Sequence, residues 1–146
     1  MRSYWKSGYL AGLTDAAIAE FVVGASSLPS PLSIIECQPL GGSVPAGADD
    51  SAFGNRDAAF LYNIMTTWTD PADDDAQMSW TRDFFARMEQ HATGGVYVNN
   101  LDSDETDRVR AAFGADRYDR LAAVKAVYDP DNCFAGNQNI APALVS

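Results

Sequence analysis

The chain has 146 residues, 47% of them apolar, with three tryptophans, six tyrosines and seven phenylalanines. That is material for one domain with a packed core, not for a disordered segment. A formal net charge of −10 argues against nucleic acid and anionic membrane surfaces, both of which are recognised through basic patches.

Residues 3–10 mix aromatic and polar side chains as a strand does. Thr14 is the expected N-cap of a helix that presents Ile18, Phe21, Val22 and Ala25 on one face. The Ser-Ser-Leu-Pro-Ser-Pro stretch ends that helix, and residues 32–40 read as a second strand with Pro39 inside it. Residues 41–56, rich in Gly, Ala, Ser and Asp, form a long connection to a third strand over 58–68. The acidic cluster from Asp70 to Asp75 then opens a helix at its positive end, with Trp80, Phe84, Phe85 and Met88 on one side. A short fourth strand is expected over 96–99, followed by helices over 104–113 and 115–128, the second stopped by Pro130. The order βαββαβ predicts a single α+β domain over 1–146, ferredoxin-like, with an antiparallel sheet, helices on one face and further helices at the C-terminus. In that topology the second strand lies at an edge, where Pro39 costs no ladder hydrogen bond.

Several stretches carry a resemblance. They are Tyr97-Val98-Asn99, the helix from Tyr118 to Lys125, and Tyr128-Asp129-Pro130-Asp131-Asn132 running into Asn137-Gln138-Asn139-Ile140. With Lys6 to Leu10, Gln38 to Gly42 and Arg56 to Ala58, they resemble the C-terminal part of berberine-bridge-enzyme-like flavin oxidases, of the vanillyl-alcohol-oxidase superfamily. The likeness implies that this unit is the second half of the oxidases' substrate domain, whose uncovered sheet face closes over flavin and substrate. It also implies an absence. The family's flavin-binding domain would have ended where this sequence opens with Met1, and no GxGxxG run replaces it, so no cofactor is expected. Many members carry a tyrosine base directly after the Tyr-x-Asn motif. Here that position is Asn100, which takes no proton at neutral pH. Asn137 and Asn139 match a segment near the flavin in relatives, and without flavin they are expected to cap and pack the tail.

Strand alternation places Glu36 with Gln38 on one side of the second strand, and Leu61, Asn63 and Met65 on one side of the third. Tyr97 and Asn99 share a side of the fourth. Polar groups converging in an apolar cavity are what a small-molecule site needs. Tyr97 and Gln38 are therefore the expected hydrogen-bond donors and Glu36 the acid or base. Asn63, Asn99 and Asn100 orient the ligand, and Leu61, Met65 and Trp68 form the apolar wall. No metal is expected. His91 is the only histidine, and the Asp73-Asp74-Asp75 run reads as a solvated helix start.

The function expected from these residues is a cofactor-independent cyclase or isomerase acting on a large apolar, polyketide-type intermediate. The alternatives are a non-catalytic subunit of a split flavin oxidase, or a small-molecule binding protein. Uncovered sheet edges lead us to expect a homodimer or a tight partner. No apolar run reaches membrane-span length and no basic-then-apolar leader opens the chain, which suggests a cytoplasmic location with Cys37 and Cys133 as reduced, buried thiols.

Overall fold

A computed structural model describes residues 1–45, 51–101, 108–136 and 138–144. Its centre is β3 (Phe60–Trp68), flanked antiparallel by β1 (Arg2–Leu10) and by β2 (Ile34–Pro39) in the order β1-β3-β2. The register pairs Ser7 with Asn63 on one side and Glu36 with Asn63 on the other, so these three form one row across the sheet. Pro39 ends β2, an edge strand as expected.

Helices α1 (Asp15–Ser26) and α2 (Asp74–Glu89) cover one face. The Thr14 hydroxyl caps α1, accepting from the Ala17 amide at 3.2 Å. Before α2, Asp70 caps a 3-10 turn over Pro71–Asp73. The even-numbered residues of β3 meet these helices: Tyr62 and Ile64 are fully buried with Leu10, Phe84 and Met88. Each such side chain contributes roughly 1.5–3 kcal/mol of apolar burial. The Thr66 and Thr81 hydroxyls meet inside this layer at 2.6 Å, with the Tyr4 and Gln77 carbonyls as further acceptors.

The face α1 presents is rotated from the expected one. Ala17 and Gly24 are buried with Phe21 beside them, while Ile18 and Val22 stay exposed. Gly24 explains the rotation, because a Cβ there would lie 2.5 Å from the Phe84 ring.

The fourth strand is not formed, so the architecture is α+β with a three-stranded sheet, and the ferredoxin-like arrangement is incomplete. After α2 the chain returns to the free edge of β1 and makes one bridge, Leu10 with Ala92, plus a hydrogen bond from Thr93 N to Tyr9 O at 2.8 Å. It then turns away at Gly94, whose φ of 86° is glycine's territory. Val96 is drawn into a second apolar cluster with Leu101, Val109 and Ala112. Val98–Asn100 closes into a 3-10 turn instead of a strand.

Two C-terminal helices follow, α3 (Val109–Phe113) and α4 (Ala115–Tyr128). The first part of the helix expected over 104–113 lies outside the described residues. Beyond α4 the chain has no regular structure, but Asp129 organises it. Its carboxylate accepts from the Cys133 and Phe134 amides and from Lys125, which also donates to the Phe134 carbonyl. Asn137 lies outside the described residues, and Gln138 donates to the Leu101 carbonyl at 2.9 Å. Both cysteines are free thiols. Cys37 is half-buried and Cys133 is exposed, contrary to the expected burial of both.

Candidate functional site

The odd-numbered residues of β1 and β3 and the even-numbered residues of β2 face away from α1 and α2. In register they make three rows: Trp5–Met65–Ile34, then Ser7–Asn63–Glu36, then Tyr9–Leu61–Gln38. The first row is an apolar strip, with Trp5 and Ile34 exposed. The second and third hold Glu36, Gln38 and Asn63 of the polar residues singled out in the sequence.

Four of those residues form one hydrogen-bonded chain. Gln38 Nε2 donates to Glu36 Oε1 at 2.6 Å, and Asn63 Nδ2 donates to Glu36 Oε2 at 3.1 Å. Asn63 Oδ1 accepts from Asn100 Nδ2 at 2.5 Å. Each carboxylate oxygen thus receives a neutral donor, and the Gln38 and Asn63 bonds hold the Glu36 carboxyl below its ordinary value of 4.5. Glu36 is an ionised acceptor at neutral pH, so of its two expected roles the chemistry favours base over acid.

Tyr97 and Asn99 form a separate pair beside this chain, with Asn99 Nδ2 donating to the Tyr97 hydroxyl at 2.8 Å. The Tyr97 ring packs over Tyr9, Leu61 and Ala58 and stands edge-on to Phe53 at 6.4 Å. Arg56 holds the Phe53 loop in place by bonding the Val44 carbonyl and the Ser51 hydroxyl. Burial and the nearby Tyr97 push the Tyr9 phenol up to about 12, so it stays neutral.

Trp68 does not join the group. Its even number turns it to the helix-covered face, where the indole donates to Asp74 Oδ1 at 2.7 Å. Asp74, the first residue of α2, is also paired with Arg2. The space beside Tyr97 and Phe53 measures about 30 Å³, while an apolar groove of about 360 Å³ lies on the helix side, between α1 and β2. It is lined by Ile18, Phe21, Val22, Ile35 and Cys37 among others. Ser7 was missed by the sequence reading. The same alternation that unites Trp5 and Tyr9 would have placed it in the site, but a lone serine carries no chemical signal.

Residues 96–141, which hold the Tyr97–Asn100 turn and the Asp129-pinned tail, match the family described as berberine and berberine like. The chain is homologous to the C-terminal part of berberine-bridge-enzyme-like FAD-linked oxidoreductases. It is 30% identical over 131 residues to the uncharacterized FAD-linked oxidoreductase YgaK of Bacillus subtilis, covering 89% of this chain and 29% of that one. The chitooligosaccharide oxidase of Gibberella zeae is 31% identical over 98 residues, covering 64% of this chain and 20% of the relative. Among solved structures, the glycopeptide hexose oxidase DBV29 complexed with teicoplanin superposes with a TM-score of 0.76 at 27% identity, over 96% of this chain and 32% of that one. The berberine-bridge-like chain thus spans about a third or less of the length of these proteins.

The open face does not by itself fit FAD. A dinucleotide's diphosphate calls for cationic side chains or a helix N-terminus, whereas this cluster offers an ionised carboxylate and three amides. Its donor set suits an uncharged, hydroxyl-bearing molecule instead.

Proposed function

We propose that this chain forms the substrate-side wall of an FAD-linked oxidase, the second half of its substrate domain, acting on a hydroxyl-bearing substrate such as a sugar or a glycosylated natural product. The observation that carries this reading is Glu36, an ionised carboxylate braced by two amides, on the same sheet face as the exposed Trp5 of the opposite edge strand. Paired carboxylate and amide groups bind the hydroxyls of a sugar while an aromatic face covers its apolar side. Two relatives are named for oxidising chitooligosaccharides and a glycopeptide hexose. Glu36 accepts the proton of a bound hydroxyl, Gln38 and Asn63 fix the carboxylate, and Tyr97, whose oxygen is held by Asn99, donates to a substrate oxygen. The test is turnover of glucose and chitooligosaccharides by the assembled, flavin-loaded oxidase. Glu36→Gln should lower kcat by at least tenfold, and an unchanged kcat rejects the assignment.

A second reading is the flavin-free cyclase of an apolar intermediate, favoured by Asn100. That amide stands directly after Tyr97-Val98-Asn99 and is engaged with Asn63, so the position supplies orientation and no base. Orientation alone can accelerate a ring closure. Conversion of an intermediate by the isolated chain, without flavin or oxygen, would favour this reading over the first. The apolar strip of Trp5, Met65 and Ile34 and the free edge of β2 support self-association, so a homodimer remains part of both readings. Light scattering at micromolar concentration tests it.

A further inference from the structure

The Ser7 hydroxyl is the odd member of the row Ser7–Asn63–Glu36. Its residue is 1% exposed, and its oxygen has no hydrogen-bond partner among the described residues. A buried hydroxyl left unbonded costs about 1–3 kcal/mol, so its presence calls for a use. It shares a face with its direct cross-strand neighbour Asn63, which places the two Cβ atoms about 5 Å apart. The 3-10 turn Val98–Asn100 packs on the same strand, β1. The Asn100 amide from that turn occupies Asn63 Oδ1.

We infer that the site extends across the sheet to β1, and that Ser7 is a substrate-contacting residue uncovered when Asn100 is displaced. A substrate hydroxyl takes the place of the Asn100 amide, donating to Asn63 Oδ1 and accepting from the Ser7 hydroxyl. Asn100 is then a removable cover that satisfies Asn63 until the ligand arrives. This rests on the reading of the open face as a wall for hydroxyl-bearing substrates, and it adds β1 and the exchange of partners.

The experiment compares the wild type with Ser7→Ala, Asn100→Ala and Glu36→Gln. Melting temperature is read without ligand, and binding is read by calorimetry with D-glucose and diacetylchitobiose as probes. Ser7→Ala should melt at or above the wild-type temperature, because it removes an unbonded buried hydroxyl, yet bind the better probe about fivefold more weakly. Asn100→Ala should bind it tighter, because the amide that competes for Asn63 Oδ1 is gone. A Ser7→Ala protein that melts several degrees lower, or that binds unchanged, overturns the inference. So does an Asn100→Ala protein that loses affinity as Glu36→Gln does. If the wild type binds neither probe, the reading of the face as a sugar wall falls and takes this inference with it. If Glu36→Gln alone weakens binding, the wall stands and only the role of Ser7 fails.

Discussion

The two faces of β3 make an instructive contrast. On the side toward the helices, Tyr62, Ile64, Thr66 and Trp68 are buried, and the polar groups of Thr66 and Trp68 are bonded to Thr81 and Asp74. On the other side, Asn63 holds a charged glutamate at one end and lies beside an unbonded serine at the other. One strand therefore serves two purposes through its period of two. Residues turned to the helices hold the fold together, and residues turned away form the proposed site. A side chain changed on one face should register in stability, and on the other in binding.

That division can be broken at several places. Phe84→Ala should cost the most stability, about 3–5 kcal/mol. The ring is fully buried, stacks on Trp80 at 5.4 Å and fills the space beside Gly24. Urea unfolding would report it as a lower midpoint at unchanged slope. Gly24→Ala should cost less. A methyl group there meets the Phe84 ring at 2.5 Å and Ile35 at 3.0 Å, and the roughly 1–3 kcal/mol of overpacking outweighs the helix-propensity gain of about 1 kcal/mol. A more stable Gly24→Ala protein would show that α1 is free to shift, and that the rotation of its face has another cause. Thr66→Val, which removes a buried hydroxyl from a bonded pair, should cost about 1 kcal/mol in the same assay.

Glu36→Gln should leave the unfolding midpoint close to that of the wild type, while ligand binding and turnover fall. The carboxyl is held below 4.5 in the folded chain, so it is protonated only in acid. Binding should be flat from neutral pH downward and be lost as pH drops through a value under 4.5, with that acid limb absent in Glu36→Gln. A midpoint shifted as far as that of Phe84→Ala would erase the distinction between the faces.

Much of the covered face was legible in the sequence because periodicity and capping acted together there. Thr14 capped α1, Phe84, Phe85 and Met88 faced the sheet, and Pro39 ended an edge strand. Two readings failed where packing overrode local pattern. Val96 and Val98 look like strand residues, but Gly94 turns the chain and a separate cluster claims Val96. Ile18 and Val22 look like core, but a glycine admits the Phe84 ring and pulls a different stripe of α1 inward. On the open face, alternation was enough to group Glu36 with Gln38 and to select Asn63. The link from Asn63 to Asn100 depended on a turn 37 residues away, and no local pattern announces such a contact.

Asp129 has a consequence for how the C-terminal tail comes apart. Beyond α4 the tail buries little, and a single carboxylate gathers two backbone amides and a lysine into one clasp. Bonds to Lys125 first, and then to those amides, hold the Asp129 carboxyl below its ordinary 3.8. The clasp is therefore intact above the ordinary value and is released as pH falls through the lower one. Up to Phe134 the tail is fastened by proton chemistry, whereas Gln138 and Ala143 are held by neutral bonds to the Leu101 and Ala122 carbonyls. Acid should let the tail fray while the sheet stays folded, and hydrogen exchange should show it first at the amides of Cys133 and Phe134.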